Sequence, residues 1–140
     1  MKATEIRYII DAGPIIGALS AADQWHDWSR RILALIDEPV ATTEIVFGEA
    51  CHRLKTYGLG LYAAVDGARA GRFLLLPQWV EHGGRALELL QKYPQMDAGD
   101  CSLVILSELL PRATIITTDA GHFRVYRRFR SQSLPLLTPG

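Results

Sequence analysis

Short apolar runs alternate with amphipathic stretches along most of the chain. Arg7 to Ile10 (RYII) is a β-rich run that ends at Asp11, and the Gly13-Pro14 pair after it predicts a helix start with Pro at the first helical position. From Asp23 to Asp37, Trp25, Trp28, Ile32, Leu35 and Ile36 recur at helical spacing and predict an amphipathic helix. Thr42 or Thr43 caps a helix that runs to about Tyr57, where Gly58 ends it. Leu59 to Ala70 is predicted helical, and Phe73 to Leu76 is predicted to be a buried strand stopped by Pro77. Val80 to Tyr93 and Asp97 to Leu110 are two more helices. Ala113 to Thr117 (ATIIT) is a strand ending near Asp119, and Ser133 to Leu136 is a last edge strand. Short apolar strands separated by helices predict an α/β domain with a mostly parallel central sheet. No internal repeat or linker composition interrupts it, so a single domain over residues 1–140 is expected.

Composition narrows the classes. With 49% hydrophobic and 21% charged residues, the chain has the balance of an ordinary globular protein, which excludes wholesale disorder. No apolar run approaches the ~18 residues that cross a membrane. The start, MKATEIRYIID, carries Lys2, Glu5 and Arg7 around a very short apolar stretch, unlike an export signal. A cytoplasmic location is therefore expected, with Cys51 and Cys101 as free thiols. Fifteen basic residues balance fifteen acidic ones, and zero net charge argues at first against a polyanionic partner.

The acidic residues are not scattered evenly with respect to the elements. In an open α/β sheet, ligands bind outside the carboxyl ends of the strands. Asp11 and Asp119 each follow a predicted strand closely, although Asp also favours helix caps and turns. Asp97 and Asp100 begin one helix three residues apart and share a face, where an N-cap and the helix dipole also suit them. Glu49 falls among Val46, Ala50 and Tyr57 on the apolar stripe of its helix, whereas Glu44 lies well around from it. A carboxylate on an apolar face needs a partner, either Arg53 one turn on or a metal.

In that order along the chain, the acids sit in motifs that resemble those of the PIN-domain nucleases. YIIDAGPIIGAL is similar to the first motif, TTEIVFGEACHRL to the second with Glu49 as its acid, MDAGDCSLVILSE to the third and IITTDAGHFRVYR to the fourth. The last two look especially like bacterial VapC-type toxins of toxin–antitoxin pairs. Together the motifs run from Tyr8 to Arg127. Ala12 and Ala120-Gly121 depart from the pattern, at places where relatives often carry hydroxyl or basic residues. The resemblance implies a PIN-like three-layer α/β/α fold and RNA hydrolysis. It also implies Asp11, Glu49, Asp100 and Asp119 as catalytic metal ligands, with Asp97 and Thr117 supporting them. A cognate antitoxin and a homodimer are further implications.

Oxygen-rich clusters without paired His or Cys suit hard cations, so Mg²⁺ or Mn²⁺ is the expected cofactor rather than zinc. His26, His52, His82 and His122 have no zinc-like spacing and are expected to be surface or supporting groups. Once five acids serve a cation, fifteen basic residues face ten acidic ones, and the objection from charge weakens. Arg124, Arg127, Arg128 and Arg130, interleaved with Phe123, Tyr126 and Phe129, are a candidate RNA-binding run, or equally a solvated face. Two other classes place acids similarly. A receiver-type signalling domain needs a Lys after a late strand, and after Asp11 only Lys55 and Lys92 occur, both on predicted helices. A non-catalytic interaction module would use the acids as caps alone, which leaves Glu49 unexplained.

Overall fold

Ile9, Ile10, Val40, Ala41, Ile115 and Ile116 are almost wholly shielded from solvent, and they define the middle of the sheet. The computed structural model describes residues 5–58 and 60–140; Lys2 and Leu59, together with the side chain of Tyr57, lie outside the described residues. The order is β1 (Tyr8–Ile10), α1 (Ala12–Leu19), α2 (His26–Leu35), β2 (Val40–Thr43), α3 (Glu44–Leu54) and a 3-10 turn (Lys55–Tyr57). Then come α4 (Gly60–Arg69), β3 (Phe73–Leu76), α5 (Trp79–Lys92), α6 (Ala98–Leu109) and β4 (Thr114–Ile116). The last elements are α7 (Ala120–Phe123), β5 (Arg127–Arg128), β6 (Gln132–Ser133) and β7 (Leu136–Leu137).

Five parallel strands run in the order β3-β2-β1-β4-β7 and are flanked by helices, the α/β/α layering expected. One group of helices packs α1 against α2, α3 and α4. In another, α5 lies on α6, and α6 touches β1, β2 and β4. Because every strand of this sheet points the same way, their carboxyl ends share one edge, and that edge carries the acids. Among the described residues, no helix is long and apolar enough to cross a membrane.

Four expectations are corrected. The strand β2 is absent from the sequence expectation; all four of its residues are buried, so it shows neither period-two alternation nor length. The final strand forms three residues late. Pro135 lends its carbonyl to Ile115 (2.8 Å), and only Leu136–Leu137 joins the sheet, while Gln132–Ser133 pairs with β5 in a separate antiparallel hairpin. Pro14 is the third residue of α1 rather than the first, still within the turn whose N–H groups have no helical acceptor. The helix expected over 23–37 is shorter, because the Asp23 carboxylate accepts from Trp25 N (2.9 Å) and forms a turn before α2. Leu35, expected on its apolar face, is exposed.

Other local signals hold. Thr43 caps α3 through its hydroxyl, and Gly58, at φ +77°, ends the following turn in a conformation that favours glycine. Gly13 lets α1 start flush against the β4–α7 connection, since any side chain there would collide with the Thr118 hydroxyl.

Candidate metal and nuclease centre

Asp11, Asp97 and Asp119 each meet a local backbone need, and all four aspartates line a shared cleft. Asp11 follows β1 and caps α1, its Oδ1 accepting from Ala12 N at 2.8 Å. Its Oδ2 accepts from the hydroxyl of Thr117 at 2.7 Å, and the same hydroxyl accepts from Asp119 N at 3.0 Å. Fully buried Thr117 thus ties the ends of β1 and β4 together and aims both acids. Asp119 caps the short α7, and its Oδ2 meets His122 Nδ1 at 2.7 Å. Asp97 caps α6 by accepting from Asp100 N at 2.8 Å, and Asp100 Oδ2 accepts from the Tyr126 hydroxyl at 2.7 Å. Capping and clustering are therefore the same fact: helix N-termini point at the cleft, and their caps are its lining.

Glu49 reaches the cleft from α3, where its Oε2 faces Gly99 at the start of α6. It is exposed rather than set into the apolar stripe, because at ~100° per residue it stands 60° from Val46 and 100° from Ala50, on the stripe's edge. No ion pair joins it to Arg53 among the described residues; Arg53 instead lines the same cleft. Glu44 lines a different cavity.

The acid cleft measures about 150 Å³, and Asp11, Glu49, Asp97, Asp100 and Asp119 all line it. Burial is the main force on two of them. It raises Asp11 from 3.8 to about 6, opposed by the hydrogen bonds from Thr117 and Ala12 and assisted by the charges of Glu49 and Asp119. It raises Asp100 to about 7, opposed by the Tyr126 hydroxyl and assisted by Asp97, Asp11 and Asp119. The carboxylate of Asp119 raises His122 above its usual value, first by hydrogen bonding and then by charge. Repelling, desolvated carboxylates of this kind are relieved by a bound cation.

Asp100, Asp119 and His122 offer ligand atoms within 4.8 Å of one another, a separation that fits a divalent ion. His122, expected among the surface or supporting histidines, is exposed and supports Asp119 through its Nδ1. Its signal in the sequence is the three-residue spacing from Asp119 across one turn of α7. Asp11 and Glu49, expected as ligands, line the cleft without belonging to that closest group. Lys55 and Lys92 lie in the 3-10 turn and at the end of α5, and neither lines the cleft.

The basic run divides by burial. Arg128 is buried; its guanidinium donates to Ser107 O (2.9 Å) and Pro111 O (3.1 Å), binding the chain to the end of α6. It is thereby removed from the surface where a nucleic acid would lie. Arg127 donates to Arg124 O (2.6 Å) and Tyr126 O (2.9 Å), whereas Arg124 is exposed. Phe123 and Tyr126 are core residues in an edge-on pair with centroids 5.5 Å apart, so they have no face free for a base.

No protein-family model and no curated protein sequence matches this chain. Several solved structures resemble it in fold, among them the following two. The first is Mycobacterium tuberculosis VapC20, described as a sarcin-ricin loop cleaving toxin; the likeness has a TM-score of 0.64 at 18% identity and covers 77% of this chain and 86% of that one. The second is VapBC2 from Rickettsia felis, bound to a DNA fragment from its promoter; here the TM-score is 0.64 at 15% identity, covering 96% and 100% of the two chains. The chain thus has the PIN-like α/β/α fold found in VapC toxins.

Proposed function

We propose that this chain is a metal-dependent endoribonuclease and the toxin of a type II toxin–antitoxin pair, built as one PIN-like domain over residues 1–140 and acting in the cytoplasm. The observation that carries the reading is the convergence of five carboxylates from four separate elements on one cleft at the carboxyl edge of a VapC-like sheet. A solvated acidic face needs no such convergence.

The cofactor is Mg²⁺ or Mn²⁺, held by the carboxylates of Asp11, Glu49, Asp100 and Asp119, with His122 hydrogen-bonded to Asp119 beside them. When bound, the ion supplies counter-charge for the scissile phosphate and acidifies the attacking water. Thr117 holds Asp11 and the backbone of Asp119 in register, and Tyr126 fixes one oxygen of Asp100 so that the other faces the cleft. Asp97 adds negative charge beside Asp100. Arg53 on the cleft wall and exposed Arg124 attract the RNA backbone. Arg127 adds charge nearby.

The partners are an RNA substrate, a cognate antitoxin and a second copy of the chain. VapC20 is described as a toxin that cleaves the sarcin-ricin loop, and VapBC2 as a complex on promoter DNA; both support this reading. Exposed Leu35 on α2 and Tyr62 and Val65 on α4 give the antitoxin apolar anchors, in the region of half-buried Trp25 and Trp28. Exposed Leu87 and Leu109 suit contact with the second copy. Expression of the chain alone in a bacterium is expected to arrest growth, and co-expression of the small protein encoded beside it to restore growth. Unimpaired growth with folded protein present would refute the toxin reading.

A further inference from the structure

The acid cleft shares a wall with a second cavity. Asp119 Oδ2 meets His122 Nδ1 at 2.7 Å, and Asp100 Oδ2 accepts from the Tyr126 hydroxyl at 2.7 Å. The two aspartates line the cleft, while His122 and Tyr126, together with Gln95 and Val125, line a cavity of about 120 Å³. Two hydrogen bonds therefore cross the partition between the two spaces. A ring nitrogen of His122 lies within 4.8 Å of carboxylate oxygens of both Asp100 and Asp119. A scissile phosphate held in the cleft thus has this cavity within reach of its own nucleoside.

The walls suit a flat heterocycle. No Asp, Glu, Lys or Arg among the described residues lines the cavity, so it recruits neither a phosphate nor a second cation. Val125 is 61% exposed and offers apolar surface that gains by being covered. The imidazole of His122 is a flat, exposed ring. Gln95 is exposed too, and its amide, both donor and acceptor, makes no hydrogen bond among the described residues. The two rings are also held in place beforehand. His122 is tied to Asp119, and Tyr126 meets Phe123 and Tyr93 edge-on, with centroids 5.5 and 5.2 Å away. A ligand resting against them therefore orders little on binding.

We infer that this cavity is the subsite for the nucleobase adjoining the scissile phosphate, which lies against Val125 and the His122 ring with its polar edge on the Gln95 amide. The inference rests on the ribonuclease reading above and narrows its substrate. A base within a duplex is stacked on both faces and paired along its edge, so only an unpaired, splayed nucleotide enters. The apolar and ring contacts accept any base, because every base has a π-face, and the amide supplies the preference among them. Exposed Arg124, between His122 and Val125 in the chain, serves the phosphates instead.

The test separates the subsite from the activity. Adenosine, cytidine and free ribose are titrated into the isotopically labelled full chain, without metal or RNA. Both nucleosides should shift the methyl signals of Val125, the side-chain amide of Gln95 and the ring signals of His122, and ribose should shift none of them. The double variant Val125→Ser, Gln95→Ala should lose the nucleoside shifts at His122. It should keep its thermal stability and its Mn²⁺ affinity, since both side chains are exposed and neither lines the acid cleft. For a single-stranded oligoribonucleotide its KM should rise at least about threefold with little change in kcat, the scale of a few apolar groups left uncovered. Gln95→Ala alone should level the rates among substrates that differ only in the base at the cut. Wild-type protein that cleaves no RNA yet binds nucleosides in this way overturns the nuclease reading and leaves the base site standing. RNA cleavage with these signals unmoved by nucleosides, equal shifts from ribose, or an unchanged KM in the double variant overturns the subsite and leaves the nuclease reading intact.

Discussion

The hydroxyl of Thr117 donates to Asp11 Oδ2 at 2.7 Å, a bond between residues 106 positions apart that locks the ends of two neighbouring strands. The same oxygen accepts from the backbone of Asp119. One buried hydroxyl therefore sets the relative position of two acids, and the bond also holds down the pKa of Asp11 against burial.

Thr117→Val keeps the shape and removes the hydroxyl. It leaves Asp119 N–H and one Asp11 oxygen without that partner, so a stability loss of about 1–3 kcal/mol is expected. Asp11 should become more basic, and Mn²⁺ affinity at pH 7 should fall. Chemical denaturation and calorimetric titration of metal measure the two effects separately.

The raised acids predict a linked pH dependence. Asp11 and Asp100 hold their protons more tightly when folded, with values of about 6 and about 7 against 3.8 for the free side chain. In the metal-free protein their contribution favours folding at low pH, below the unfolded value. It is lost as pH rises through about 6 and 7. A cation competes with those protons, so its stabilising effect should grow over the same interval. The shift in Tm caused by Mn²⁺ should be several-fold larger at pH 8 than at pH 5.5. Equal shifts would contradict ligation by these groups.

Arg128 and Arg124 should separate cleanly. Arg128→Met removes bonds to two carbonyls at the end of α6 and should cost about 1–3 kcal/mol of stability, with RNA affinity per folded molecule unchanged. Arg124→Ala should leave stability alone, weaken RNA binding and reduce its salt dependence by about one ion. Filter binding at several salt concentrations distinguishes them.

Much of this architecture is legible in the sequence. Asp11, Asp97 and Asp119 lie at strand ends and helix starts, where local rules already place them, and the parallel sheet brings those places to one edge. The parts that were not legible depend on distant partners. The strand Val40–Thr43 is short and buried on both faces, so it lacks a periodic signature. The burial of Arg128 needs the carbonyls of Ser107 and Pro111, and nothing in a run of arginines reveals which one turns inward. Glu49 borders the apolar stripe of α3 rather than lying within it, and opens to the cleft, a distinction that residue spacing alone does not make. His122 joins the acids only once the α7 turn forms around the Asp119 cap.

The most direct measurement is cleavage of mixed single-stranded RNA by the purified chain with Mg²⁺ or Mn²⁺, with excess EDTA, and by three variants. The account predicts cleavage that EDTA stops and metal restores. Asp100→Asn and Glu49→Gln should each reduce kcat by about a hundredfold or more, the scale expected when a group stabilising the transition state is lost. Asp66→Asn, which removes only an exposed partner of Arg69, should cleave like the wild type. Cleavage that persists in excess chelator, or that Asp100→Asn leaves intact, would contradict the account.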